Sequence, residues 1–162
     1  MNRIKTLRAL TLALPLLLSA CASGPSLTSP EVTNAPVGGG ANVVPGSAED
    51  FIVNVGRRTF FSEGSAALDE PAQETLTLQA AFLTQHTRYK ARIQGHSDEK
   101  GSADANRKLS VQRAEAVRNF LVSKGVDAGR ISVQGVGNTR PQLRCQDISC
   151  WAQNRRVLTQ LQ

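Results

Sequence analysis

The segment from about Ala103 to Lys124 carries a helical repeat with a charge on its wrong side. At roughly 100° per residue, Leu109, Ala114, Val117, Phe120 and Leu121 fall on one apolar arc. Arg113 and Asn106 fall in the middle of that arc, whereas Arg107, Lys108 and Arg118 lie off it. The stretch reads as a helix that packs through its apolar side and stops at Gly125. Whatever it packs against must also meet a guanidinium, because a cation facing a packed layer is costly unless something anionic is there. Asp98, in the loop Gly95-His96-Ser97-Asp98-Glu99-Lys100-Gly101, is the candidate partner. Two arrangements follow. Asp98 and Arg113 neutralise each other as a structural ion pair, or they form an open clamp. In a clamp the aspartate accepts from a ligand ammonium and the arginine presents a planar two-pronged donor to a ligand carboxylate.

The rest of the head alternates strand and helix patterns. Phe51 to Val55 begins the first strand region, which resumes through Arg58-Thr59-Phe60-Phe61. Asp69 is placed to cap a helix with Pro71 in its first turn. Leu76, Ala80 and Leu83 form that helix's buried stripe, widened by Leu78 and Phe82. Lys90 to Gly95 alternates as a strand with Ala91 and Ile93 on one face. Arg130 to Val136 is a third strand and Arg156 to Leu161 a last one, with a loop between them. The order β-α-β-α-β-(loop)-β predicts an α+β fold, a two-layer sandwich with the helices on one face of a small sheet.

The first fifty residues follow other rules. Met1 to Arg8 holds three basic residues and no acid, Ala9 to Leu18 is apolar, and Ser19-Ala20-Cys21 follows. That is the layout of an export signal over residues 1–20. The apolar run falls short of the roughly 20 residues a bilayer requires and contains Pro15. Leu18-Ser19-Ala20-Cys21 resembles the bacterial lipobox, which implies lipidation of Cys21. Ala22 stands where an aspartate would direct retention at the inner membrane, so the resemblance implies the outer one. Residues 21–48 comprise this cysteine and a Ser, Gly, Pro and Thr-rich stretch with Gly38-Gly39-Gly40, too poor in apolar surface to order itself. As a flexible tether it has an average reach of about 30 Å. Residues 49–162 form the head, large enough for one core.

Charge excludes one class of partner. Without Arg3, Lys5 and Arg8 the formal charge falls from +6 to +3. No polybasic run or aromatic platform remains to favour nucleic acid. Of three cysteines, Cys145 and Cys150 are left after Cys21, and an oxidising compartment favours a disulfide between them. No third or fourth Cys or His lies near enough to make that pair a metal site, and no cofactor motif is present. A hydrolase would have to use His96 with Asp98 or Glu99, but no Ser or Cys nucleophile has a base beside it. The head reads as a binding module, not an enzyme.

Asn106-x-x-Leu109-Ser110-x-x-Arg113-Ala114-x-x-Val117-x-x-x-Leu121 resembles, without a gap, the signature of the OmpA-like peptidoglycan-binding domain family. The loop Gly95 to Gly101 is similar to the one that precedes it there, and Asn154-Arg155-Arg156-Val157 to the closing motif. The resemblance spans roughly residues 50–161. It implies non-covalent binding of cell-wall stem peptides through diaminopimelate, with Asp98 on the ammonium, Arg113 on the carboxylate, and Asn106 and Leu109 lining the pocket. Where the family usually carries an aspartate beside the ligand this chain has Gly64, and Glu63 or backbone N–H groups stand in. With the lipid anchor and tether, the resemblance further implies a link between outer membrane and wall, with Tol proteins as envelope partners.

Overall fold

The computed structural model describes residues 43–144 and 147–162. Cys21, the export signal, most of the tether and Cys145 lie outside them. Four strands, β1 (Arg58–Phe60), β2 (Ala91–Gly95), β3 (Ile131–Gly135) and β4 (Arg156–Leu161), form one mixed sheet in the order β1-β4-β2-β3. β2 and β3 run parallel, while β4 is antiparallel to both β1 and β2. Among the described residues four α-helices accompany them: α1 (Ala48–Asp50), α2 (Glu70–Gln85), α3 (Ala103–Ser123) and α4 (Ile148–Asn154). No helix among the described residues is long and apolar enough to cross a membrane.

Local chemistry sets the helix ends. Asp69 accepts from the Ala72 N–H at 3.0 Å, with Pro71 in the first turn, and Ser102 caps α3 through Ala105. Gly125, at φ +96°, takes the left-handed conformation that ends α3. α2 and α3 lay Leu76, Ala80, Leu83, Ala114, Val117 and Leu121 on one sheet face, against Ala91, Ile93 and Val157. α3 approaches unusually closely because the paired residues Gly95 and Gly135 have no side chains. A Cβ on Gly95 would lie 1.9 Å from the Ser110 carbonyl oxygen, and one on Gly135 would lie 2.4 Å from Val111 Cγ2. This contact fixes the first turns of α3 over the strand ends.

Three expectations are corrected. Phe51–Val55 is a π-helix that continues α1, not a strand. Ser47 caps α1, the Asp50 carboxylate accepts from the Asn54 side chain at 2.7 Å, and the Gly56 N–H closes on the Phe51 carbonyl. Phe51 alone is buried there, against Phe82 with ring centroids 5.1 Å apart. Leu78 does not widen the α2 stripe but points outward, 52 % exposed. Gln79 takes the buried position, donating to the Gly56 carbonyl and accepting from Thr159 Oγ1, both at 2.7 Å. The loop before β4 contains α4, a short helix capped by Asp147. Just ahead of α1, the buried Gly46 carbonyl accepts from Tyr89 Oη at 3.2 Å and from Arg88.

Candidate functional site

Beyond the C-terminal ends of β2 and β3, three loops meet the start of α3. They are 61–68 after β1, 96–102 after β2, and 136–144 after β3. Two arginines pin them. Arg113 is fully buried and directs three nitrogens at three backbone carbonyls: Nε to Ser65 at 2.8 Å, Nη1 to His96 at 3.0 Å and Nη2 to Ser62 at 3.0 Å. Its guanidinium also lies 5.3 Å from the centroid of the Phe61 ring. Arg155 donates from Nε to the Phe61 carbonyl at 3.1 Å and from Nη1 to Asp98 Oδ2 at 3.3 Å. The 61–65 turn is therefore held from beneath by both guanidinia. At the surface, Lys100 reaches across to Glu63 at 2.7 Å and lies over the Trp151 ring.

The structure resolves the pairing of Asp98. Its ion-pair partner among the described residues is Arg155, not Arg113. Arg113 feels the Asp98 charge without touching it: burial lowers its pKa to about 10, and the Asp98 carboxylate acts in the opposite direction. The openness expected of Arg113 is absent in this conformation, because its side chain is enclosed by the carbonyls it serves. A guanidinium has five N–H groups, so three bonds leave two with capacity for an anion.

The other predicted residues gather around this core. Asn106 is buried in the first turn of α3, and its Nδ2 has no hydrogen-bond partner. Ser97 is also buried and its Oγ is unpartnered, while its N–H donates to the Gly137 carbonyl at 3.0 Å. Leu109 is half-buried one turn along. Gly64 is exposed at φ +65°, between the two serines whose carbonyls hold Arg113. A left-handed residue lets that tight turn present both carbonyls inward. Buried polar atoms are nearly always satisfied in folded proteins. Two orphans flanking the Asp98 loop mark a place that accepts further hydrogen bonds.

Two contributors escaped the sequence reading. Arg155 was visible only as part of the closing motif, since a lone arginine before a strand carries no periodic signal. The Lys100–Glu63 bridge joins residues far apart in the chain, and nothing local in the sequence reports it. No group of three or more His, Cys, Asp or Glu side chains converges as a metal site among the described residues. Cys150 is fully buried on α4.

Residues 60–155 match the OmpA family. The chain is 42 % identical to a peptidoglycan-associated lipoprotein of Mesorhizobium japonicum, over 90 % of this chain and 86 % of that one. It is 39 % identical to the peptidoglycan-associated lipoprotein of Brucella melitensis, over 99 % of this chain and 97 % of that one. Among solved structures, the peptidoglycan-associated lipoprotein from Burkholderia pseudomallei superposes with a TM-score of 0.64 at 33 % identity, covering 65 % of this chain and 90 % of that one.

Proposed function

The chain belongs to the OmpA family, and on that premise we propose that it is an outer-membrane lipoprotein that grips peptidoglycan without a covalent bond. Its ligand is the zwitterionic end of a diaminopimelate stem peptide. Asp98 takes the ammonium, Arg113 the carboxylate, and Asn106 Nδ2 and Ser97 Oγ supply the hydrogen bonds they do not spend internally. Leu109 and the Gly64 turn form the walls. The observation that carries this reading is the pair of unpartnered polar groups, Asn106 and Ser97, beside a buried carboxylate and a buried guanidinium.

The carboxylate reaches Arg113 as the Ser62–Ser65 turn yields. That turn is exposed at Glu63 and Gly64, and the Lys100–Glu63 pair bridges its outer side. Binding thus exchanges the bonds from Arg113 to the neutral Ser62 and Ser65 carbonyls for bonds to a ligand carboxylate, in which both partners are charged and the fork can be met two-pronged.

The remaining parts serve the same role. Cys21 carries the lipid, and the residues from 22 up to Gly46 span from membrane to head. The tether joins the head at Gly46, beside Arg88 and Tyr89 at the N-terminal end of β2. The site lies past the other end of that strand, about 17 Å farther on. An anchor at one pole and a ligand site at the other suit a protein that joins two layers. A Cys145–Cys150 disulfide would staple the loop leading into α4. Within this reading the chain is the peptidoglycan-binding member of a Tol–Pal system that supports envelope integrity and cell division.

Sedimentation of the full chain with purified sacculi, competed by free diaminopimelate, tests the wall-binding claim. Co-sedimentation that diaminopimelate abolishes is expected, and binding indifferent to it would refute the assigned ligand. Capture by the periplasmic Tol β-propeller protein separates a Tol–Pal component from a wall-binding lipoprotein without Tol partners.

A further inference from the structure

The sheet face opposite α2 and α3 gathers positive charge with no acid to balance it. Val157, Ile93 and Gly95 face the helices. By strand alternation, Arg156, His96, Gln94 and Arg92 face the other way, as do Phe60 and Arg58 through their pairing with Arg156 and Leu158. His96 and Arg156 are neighbours, the His96 N–H donating to the Arg156 carbonyl at 2.8 Å. Arg58, on β1, lies diagonal to Arg156 on the paired β4. No aspartate or glutamate faces this cluster among the described residues, whose ion pairs are Lys100–Glu63 and Arg155–Asp98.

The cluster is covered and unsatisfied. His96 and Arg156 are 2 % and 4 % exposed, and Phe60 beside them is 2 % exposed. Arg156 makes only long contacts, to the carbonyls of Gln153 at 3.5 Å and Arg140 at 3.4 Å. Its Nε, the Nε of Arg58 and both ring nitrogens of His96 have no hydrogen-bond partner. Buried cations are otherwise paired, and the side chains here repel one another. Burial and the Arg156 charge push His96 down to about 4, while the nearby Arg140 backbone opposes them and outweighs the further push from the Arg140 charge. Burial and Arg58 lower Arg156 to about 10.

We propose that Arg58, His96 and Arg156 form a site for a small oxyanion, a carboxylate or phosphate group, beside Arg140 and Gln153 and separate from the Asp98 site. The orphaned N–H groups would donate to it, and its charge would relieve the repulsion between the arginines. Too little of His96 and Arg156 is accessible for a macromolecular surface to seat on them, so the proposal is confined to a small anion.

The chain has two histidines, and His86 stands at the opposite pole, packed on Phe82. It serves as an internal control in histidine-labelled NMR of the full chain in detergent micelles. Titration with inorganic phosphate, and separately with acetate, at constant ionic strength should shift the His96 ring resonances saturably and leave His86 unmoved. The anion that acts identifies phosphate or carboxylate as the natural class. In Arg58→Gln, at the half-exposed edge of the sheet, the apparent affinity should drop about tenfold with the loss of one charge-assisted bond. No saturable shift with either anion, or an undiminished one in Arg58→Gln, would overturn the proposal.

Discussion

Arg155 and Asp98 face each other at 3.3 Å with side chains only 10 % and 7 % exposed, so the aspartate is held by a residue fifty-seven positions away. Removing one partner of such a pair strands the other charge in a poorly solvated place, which costs about 3–5 kcal/mol. Arg155→Ala should therefore destabilise the head by about 3 kcal/mol and also release the Phe61 carbonyl. Urea unfolding checks this. A double-mutant cycle with Asp98→Asn should return a coupling above about 1 kcal/mol, and additivity would show that the pair does not interact.

Arg113→Lys keeps the charge and discards the fork. Three carbonyls around one guanidinium diverge too widely for a single ammonium to serve all three. The Ser62–Ser65 turn should lose its anchor, wall binding should vanish, and stability should fall by about 2 kcal/mol as backbone acceptors go unpaired. Wild-type affinity for sacculi in this variant would show that the fork is not needed.

Most elements were legible because their signals are local. The cap at Asp69 with Pro71, the stop at Gly125, and the alternation of β2 each lie within one short window. Phe51–Val55 misled because its alternation resembles a strand, while its structure is set by Ser47, Asp50 and the remote ring of Phe82. α4 is too short for a helical period to emerge. At the site, Arg113 was conspicuous as a cation on an apolar arc. That it would bond to carbonyls and leave Asp98 to Arg155 depends on contacts across the whole chain, which no spacing encodes.

Gly95→Ala tests the close approach of α3. The added methyl would meet a backbone carbonyl at 1.9 Å, and backbone cannot swing aside as a side chain can. Overpacking of this kind costs about 1–3 kcal/mol or more, so a loss near the upper end is expected in thermal or urea unfolding. Because the shift would lift Asn106 and Arg113 from the strand ends, affinity for sacculi should fall with it. Unchanged stability would mean that the helix sits farther from the sheet than described.

Glu63→Gln cuts the surface bridge to Lys100 without touching the buried arginines. The Lys100 ammonium holds the Glu63 carboxyl below its usual range, but both side chains are substantially exposed and solvent screens them. Stability should not change measurably. If the 62–65 turn yields on binding, diaminopimelate should associate faster with the variant, by stopped-flow displacement, than with the wild type. An identical rate would argue that the turn stays closed while the ligand binds.

His96 sets an acid limb on stability. An ordinary histidine titrates near 6.5, and burial lowers this one to about 4. Above pH 6.5 both the folded and unfolded forms are neutral there, and the residue contributes no pH dependence. As pH falls from 6.5 towards 4 the unfolded chain takes up a proton that the folded one resists, so stability declines over that window and levels off below it. The loss should amount to about 2 kcal/mol after allowance for solvent screening. Urea unfolding across this range, for wild type and His96→Gln, should give curves that diverge with the wild type falling more steeply; parallel curves would remove His96 as the cause. A bound oxyanion would favour the protonated ring, so phosphate at fixed ionic strength should flatten the wild-type slope and leave the His96→Gln slope as it was.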